Sequence, residues 1–173
     1  WVAASDWSAW PATNYVHADN HDLHFGNASS TVIYSCDDGG IFKSTDQGVT
    51  WTDLSGGIDI KQYYRISSSQ QSPNIMYGGA QDNGSDRISA MNTASQVYGA
   101  DGEDCLVDWS DDNIAFVSSQ GGNFNRSTDG GLTFNAIGAV GSDWTSPITM
   151  DPNNHNIVYV GGTRSEEHTS ELQ

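Results

Sequence analysis

The sequence predicts an all-β fold built from repeated four-stranded units, and three observations carry that expectation. The first is composition: 36% of the 173 residues are hydrophobic and 19 are glycines. Glycine-rich turns between short aromatic and β-branched runs are the pattern of many short strands. The second is periodicity. No apolar period of 3.6 is sustained over three turns, and no apolar run is long enough to span a membrane. The third is an internal repeat of about forty residues, the length of one four-stranded propeller blade.

The repeat is carried by two near-identical segments. Ser44-Thr45-Asp46-Gln47-Gly48-Val49-Thr50-Trp51 and Ser127-Thr128-Asp129-Gly130-Gly131-Leu132-Thr133-Phe134 share S-T-D-x-G-x-T-aromatic at an offset of 83 residues. The pairs Val49/Leu132, Trp51/Phe134 and Leu54/Ile137 keep the same offset. Upstream of each lies an apolar strand and a double glycine, Val32-Ile33-Tyr34 with Gly39-Gly40 and Ile114-Ala115-Phe116 with Gly121-Gly122. The strand recurs at Ile75-Met76-Tyr77 and Ile157-Val158-Tyr159 without the following box. Tyr34, Tyr77, Phe116 and Tyr159 therefore step by 43, 39 and 43 residues. The expected fold is a β-propeller fragment of about three to four four-stranded blades spanning 1–163.

With these residues in view, the chain resembles the Asp-box proteins, also called bacterial neuraminidase repeats, over roughly residues 16–163. That group includes sialidases, sortilin-type receptors, xyloglucanase-type glycoside hydrolases and secreted bacterial propellers. The runs Val16-His17-Ala18-Asp19-Asn20-His21-Asp22 and Gly79-Ala80-Gln81-Asp82-Asn83-Gly84 are most similar to the secreted bacterial propellers. The resemblance implies a secreted or cell-surface protein, and it implies that the box joins the third and fourth strands of a blade in a structural role. Ser44, Asp46, Gly48 and Trp51 fill that role in one box, and Ser127, Asp129, Gly131 and Phe134 in the other. Serine and aspartate accept turn amides, and glycine supplies a positive φ. Trp51 is expected to point inward between sheets.

Antiparallel strands put successive turns at alternate ends of a blade. If the box lies at one end, the loop from strand two to three lies at the other, with the approach to the inner strand. That sorting gathers Asp37 and Asp38, Gln81, Asp82 and Asn83, then His17, Asp19 and His21, Tyr63 and Tyr64, and Asp101, Glu103 and Asp104. Loops on a rigid scaffold are where function usually resides. Asp19, Asp82 and Asp101 are the candidate catalytic acids, since glycoside hydrolysis generally uses two carboxylates across the scissile bond. The remaining members of this set are candidate binding residues. His17, Asp19 and His21 also invite a transition-metal reading beside substrate binding and a structural hydrogen-bond network. On a straight strand, however, the two histidines stand about 13 Å apart. Calcium is a further reading for the loop acids, and no cofactor is required.

Charge narrows the partners. The formal net charge is −16, from 22 acids against six bases. With two lysines and four arginines, all scattered, there is no basic stripe for nucleic acid. A neutral polysaccharide or glycan, or a protein ligand, suits such a surface better than an anion. A sialidase is disfavoured: the arginine cluster that the resemblance would require, opened by Arg-Ile-Pro, is replaced by Arg65-Ile66-Ser67 and Arg87-Ile88-Ser89. Cys36 and Cys105 read as buried thiols or one disulfide. Of Trp7, Trp10, Trp109 and Trp144, at most one is expected to be exposed. The last segment, 164–173, holds three of the four glutamates. It resembles the in-frame translation of a sequencing-adapter oligonucleotide and is set aside from the fold.

Overall fold

A computed structural model describes residues 3–26, 31–58, 61–89, 93–142 and 144–163, with the backbone of 166–169. The chain divides into two compact units, Trp1–Lys61 and Gln62–Gln173. The architecture is all-β, a propeller fragment whose sheets are antiparallel meanders.

The first unit holds one four-stranded sheet in the order β1 (Asn20–Phe25), β2 (Ile33–Asp37), β3 (Gly40–Ser44) and β4 (Thr52–Asp53). Its buried apolar residues are Val16 and Phe42, and the Tyr15 ring meets Phe42 edge-on at 5.8 Å.

The second unit holds three sheets. The second sheet runs β5 (Arg65–Ser68), β6 (Ile75–Ala80), β7 (Gly84–Ser89), β8 (Ala94–Tyr98). The third runs β9 (Gly102–Val107), β10 (Ala115–Ser119), β11 (Asn123–Ser127), β12 (Asn135–Ala139). The fourth runs β13 (Ile148–Met150), β14 (Ile157–Val160), β15 (Glu166–Thr169). Strand β15 belongs to the segment set aside above. Its pairing with β14 is a backbone ladder that any extended segment can supply, so it says nothing about the origin of those residues.

Side-chain alternation along β10 builds two cores at once. Ala115 and Val117 face the second sheet, packing with Tyr77, Cys105 and Val107, while Phe116 faces the fourth sheet, packing with Phe124, Ile148, Met150 and Val158. Two of the four aromatic landmarks of the repeat thus fill successive seams. Phe134 of the second box packs into the first of these cores, edge-on to Tyr98 at 6.1 Å. Trp51 of the first box is of intermediate exposure, and its indole N–H donates to the carbonyl of Ala4 at 3.0 Å. The expectation for the other tryptophans is corrected, since Trp7, Trp10 and Trp144 are all exposed. Both cysteines are free thiols, and burial pushes Cys105 up to about 12.

The double glycine of the second sheet has a steric cause. A side chain on Gly79 would come within 2.1 Å of the Glu103 carbonyl, and one on Gly102 within 2.1 Å of the Gly84 carbonyl. The inner strand β9 therefore lies directly on the backbone of the second sheet. The strand one-to-two turn also repeats. The N–H groups of Ser69, Asp108 and Asp151 donate to the carbonyls of Ile75, Ile114 and Ile157, each at 2.9 Å.

The two boxes join third to fourth strands, between β3 and β4 and between β11 and β12. In each, the serine hydroxyl accepts the glycine N–H at 2.8 Å, Ser44 from Gly48 and Ser127 from Gly131. Asp46 accepts the Thr50 N–H at 2.9 Å and its hydroxyl at 2.7 Å, and Asp129 accepts those of Thr133 at 2.9 and 2.6 Å. Hydrogen bonds from the threonine hydroxyl, then from its N–H, hold both carboxyls down at about 2. Gly48 and Gly131 take φ of +89° and +86°.

Two predictions follow from this packing. Gly79→Ala is expected to destabilise by about 3 kcal/mol or more, because backbone rather than a flexible side chain must yield, whereas Gly99→Ala, with open space around it, is close to neutral. Thermal melts of both variants check this. A carboxyl depressed in the folded state contributes stability above its unfolded value of 3.8 and loses it as pH falls through about 2. The melting temperature should therefore fall over that interval, and Asp129→Asn should flatten part of the fall.

Candidate functional site

Within each unit, the turns opposite the boxes collect the predicted residues. In the first unit, Asn20 of β1 pairs with Asp37 of β2, which brings Asp19, His21, Asp37 and Asp38 to one sheet end. His21 pairs through Nε2 with Asp38, and this partner, reinforced by Asp19 and Asp37, raises the imidazole above its ordinary value. Asp37 is buried, and its carboxylate accepts the Gly39 N–H at 3.0 Å. Burial pushes Asp37 up against the pull of that bond. The His17 ring lies over Gly39, and its Nδ1 is 3.3 Å from the Ala18 carbonyl.

His17, Asp19 and His21 do not converge as a ligand set among the described residues. His21 turns to Asp38 instead, and Asp19 approaches Asp38 with carboxylate oxygens within 4.8 Å. Asp19 itself has φ of +55°, a left-handed conformation that aspartate tolerates better than most residues.

In the second unit the sheet end is a connected rim. The half-exposed Tyr64 donates its phenol proton to Gln81 Oε1 at 2.5 Å. Asn83 Nδ2 donates to the Gln81 carbonyl at 3.1 Å, and Gln96 reaches the Asn83 carbonyl at 2.9 Å. The Asp82 N–H donates to Asp101 Oδ1 at 2.9 Å, and the Asp101 N–H donates to Gln120 Oε1 at 3.0 Å. Asp82, with φ of +59°, shapes the turn between β6 and β7. The rim thus ties the second sheet's loop to the approach of β9. Gln96 and Gln120 were not anticipated. Gln120 occupies the place in the third sheet that Gln81 has in the second, one residue beyond the second strand, and aligning those positions would have found it.

Three of the candidate binding residues are turned inward. Tyr63 donates its hydroxyl to the buried Asp86 at 2.7 Å, and burial followed by that bond raises the phenol well above its usual value. Glu103 is fully buried, and Asp104 nearly so. Their carboxylates accept the N–H groups of Ser146 at 3.2 Å and Ile148 at 3.0 Å, where the chain enters the fourth sheet. These two acids are therefore staples between sheets and not rim groups. Oε1 of Glu103 has no hydrogen-bond partner among the described residues. Burial raises Glu103, with Asp101 and Asp104 adding to the shift against the Ser146 bond. Burial likewise raises Asp104, against hydrogen bonds from Ile148 and Cys105 and the Arg65 guanidinium at 3.7 Å.

No protein-family model matches the sequence, and no curated protein matches it. Among solved structures, the chain is similar to an ancestral GH74 enzyme at 16% identity and a TM-score of 0.49, over 83% of this chain and 22% of that one. It is similar to the GH74 xyloglucanase from Xanthomonas campestris at 17% identity and a TM-score of 0.47, over 82% of this chain and 22% of that one. It is also similar to an auxiliary nutrient binding protein from Bacteroides thetaiotaomicron at 11% identity and a TM-score of 0.47, over 83% of this chain and 36% of that one. The chain thus spans about a fifth of the GH74 chains. Among the described residues no helix is long and apolar enough to cross a membrane.

Glu103 generates a prediction. A carboxyl raised in the folded state costs stability as pH climbs above its unfolded value of 4.5, and the cost disappears on acidification. Glu103→Gln, which removes the buried charge, is expected to melt at or above the wild-type temperature at neutral pH. The gap should close near about pH 4, read by melts across the range.

Proposed function

We propose that the chain is part of an extracellular Asp-box propeller, the family its two S-T-D-x-G-x-T turns resemble, and that it binds a neutral polysaccharide at the rim opposite the boxes. Tyr64 carries the reading. The residue is 50% exposed, and its hydroxyl is held by the bond to Gln81. A fixed, half-exposed aromatic ring offers a flat apolar platform for a sugar ring, with a polar edge beside it. Gln81 is bonded to it, and the rim beyond, with Asn83, Asp82 and Asp101, offers acceptors and donors for hydroxyl groups. The surrounding acids favour a neutral glycan over an anionic one.

Binding is favoured over hydrolysis on the chemistry of the acids. Asp101 is engaged by the Asp82 amide, and the raised acid Glu103 is fully buried, out of reach of a polysaccharide chain.

The test pairs affinity with turnover on a panel of neutral and acidic polysaccharides. Neutral glycans are expected to bind, and Tyr64→Ala is expected to weaken binding about tenfold or more while leaving the melting temperature nearly unchanged. Equal affinity in Tyr64→Ala, or binding of protein ligands alone, overturns the proposal. Release of reducing ends by the wild type, abolished in Asp82→Asn or Asp101→Asn, would replace the binding module with a hydrolase.

A further inference from the structure

The strand two-to-three turns of the second and third sheets repeat more than a backbone shape. Each loop is closed by a strand pair, Ala80 with Gly84 in one sheet and Ser119 with Asn123 in the other. Each opens with a glutamine, Gln81 or Gln120, at the same offset from the aromatic landmarks Tyr77 and Phe116. The second loop residue is left-handed in both, Asp82 at φ +59° and Gly121 at φ +75°. An asparagine then ties each loop to its glutamine. Asn83 Nδ2 donates to the Gln81 carbonyl at 3.1 Å, and Asn123 Nδ2 to the Gln120 carbonyl at 2.7 Å. The first sheet departs from this plan: Asp37 pairs directly with Gly40 across a shorter turn, and Asp38 stands in the glutamine's place.

Both amides are held by their oxygens. The Asp101 N–H donates to Gln120 Oε1 at 3.0 Å, and because a backbone N–H only donates, this bond fixes which way the amide faces. The Tyr64 phenol donates to Gln81 Oε1 at 2.5 Å. Each Nε2 keeps two N–H donors that no protein acceptor takes up among the described residues, on a side chain that is only half-buried. Water fills such donors until a ligand oxygen replaces it. The two amides also belong to one bonded line. Gln81 leads into Asp82, whose N–H donates to Asp101 Oδ1 at 2.9 Å, and the Asp101 N–H closes on Gln120. Facing positions on packed sheets stand about 10 Å apart, a gap that a single sugar ring does not bridge.

We propose that Gln81 and Gln120 are two successive subsites of one glycan site, so that the rim recognises a neutral oligosaccharide running from the second sheet to the third and not a lone sugar. The inference rests on the reading of Tyr64 as a sugar platform. Tyr64 holds one unit of the chain beside Gln81, and the Gln120 amide donates to a hydroxyl, ring or glycosidic oxygen of a unit further along. The donors are aimed before the ligand arrives, since their oxygens are already engaged, and less side-chain freedom is lost on binding. A carboxylate also accepts from amides, but Asp82 and Asp101 lie along the line between the two glutamines and repel an anionic chain.

Titration of the full chain with neutral oligosaccharides of glucose, mannose and galactose, from single sugars to hexasaccharides, tests the second subsite. Expressed per sugar unit, the hexasaccharide of a sugar that binds is expected to bind about tenfold tighter than the monosaccharide, the worth of one or two further hydrogen bonds. Gln120→Glu keeps an oxygen for the Asp101 N–H and removes the amide donors. It should bring that ratio close to one while retaining the wild-type circular dichroism spectrum, whereas Tyr64→Ala should weaken short and long ligands alike. A wild-type ratio near one overturns the second subsite without recourse to any variant, and so does a tenfold ratio that survives in Gln120→Glu; in both cases the Tyr64 platform stands. Absence of binding by every neutral sugar, or equal affinity in Tyr64→Ala, removes the platform and this proposal with it.

Discussion

Short strands joined by tight turns leave many backbone N–H groups outside any ladder, and satisfying them is the constraint on which this fold depends. The chain meets it with aspartate. Asp46 and Asp129 accept the amides of the box turns, Asp37 that of the two-to-three turn, and Asp108 and Asp151 those of the one-to-two turns. Asp104 extends the same chemistry between sheets, taking the amide of Ile148. The 18 aspartates are therefore first a structural inventory, and the net charge of −16 is largely its by-product.

That economy explains what was legible in the sequence. The boxes and the blade period follow from local pattern, because turn chemistry and strand alternation are local; the place of the boxes between third and fourth strands came from the family resemblance, and the end at which the loops collect followed from it. Burial at a strand's start is not. Glu103 and Asp104 lie beside Asp101-Gly102 and read as loop acids, yet β9 begins at Gly102 and carries both into the seam. The signal that separates them is the glycine-mediated approach of β9 to the second sheet, which requires knowing what lies opposite. Trp7, Trp10 and Trp144 failed for a related reason: apolar character implies burial only where another surface is available to cover it.

The same distinction bears on function. An acid engaged by backbone amides can still shape a binding surface, but it is poorly placed to exchange protons with a ligand. Asp101 is such an acid, its carboxylate accepting the Asp82 N–H, while Asp82 and Asp19 adopt left-handed backbone conformations that shape the loops of their own sheets. What remains accessible for recognition is the aromatic and amide set around Tyr64. That set is uncharged, and it shares its rim with the acids Asp82 and Asp101.

The two seams of the second unit also differ in kind. Between the second and third sheets, the one-to-two turns meet through Ser69 with Asp112 and Gln71 with the Trp109 carbonyl, contacts with one formal charge and no cation. Between the third and fourth, a buried carboxylate meets an imidazole. Both seams use the same turn geometry, so the backbone does not dictate the difference; the side chains at matching positions do. A repeat architecture whose ladders and turn hydrogen bonds are common to every sheet can thus place a carboxylate–imidazole contact at the turns of one seam and hydroxyl and amide contacts at those of its neighbour. The local stability of each sheet is then set by a few side chains at the turns as much as by the cores between them.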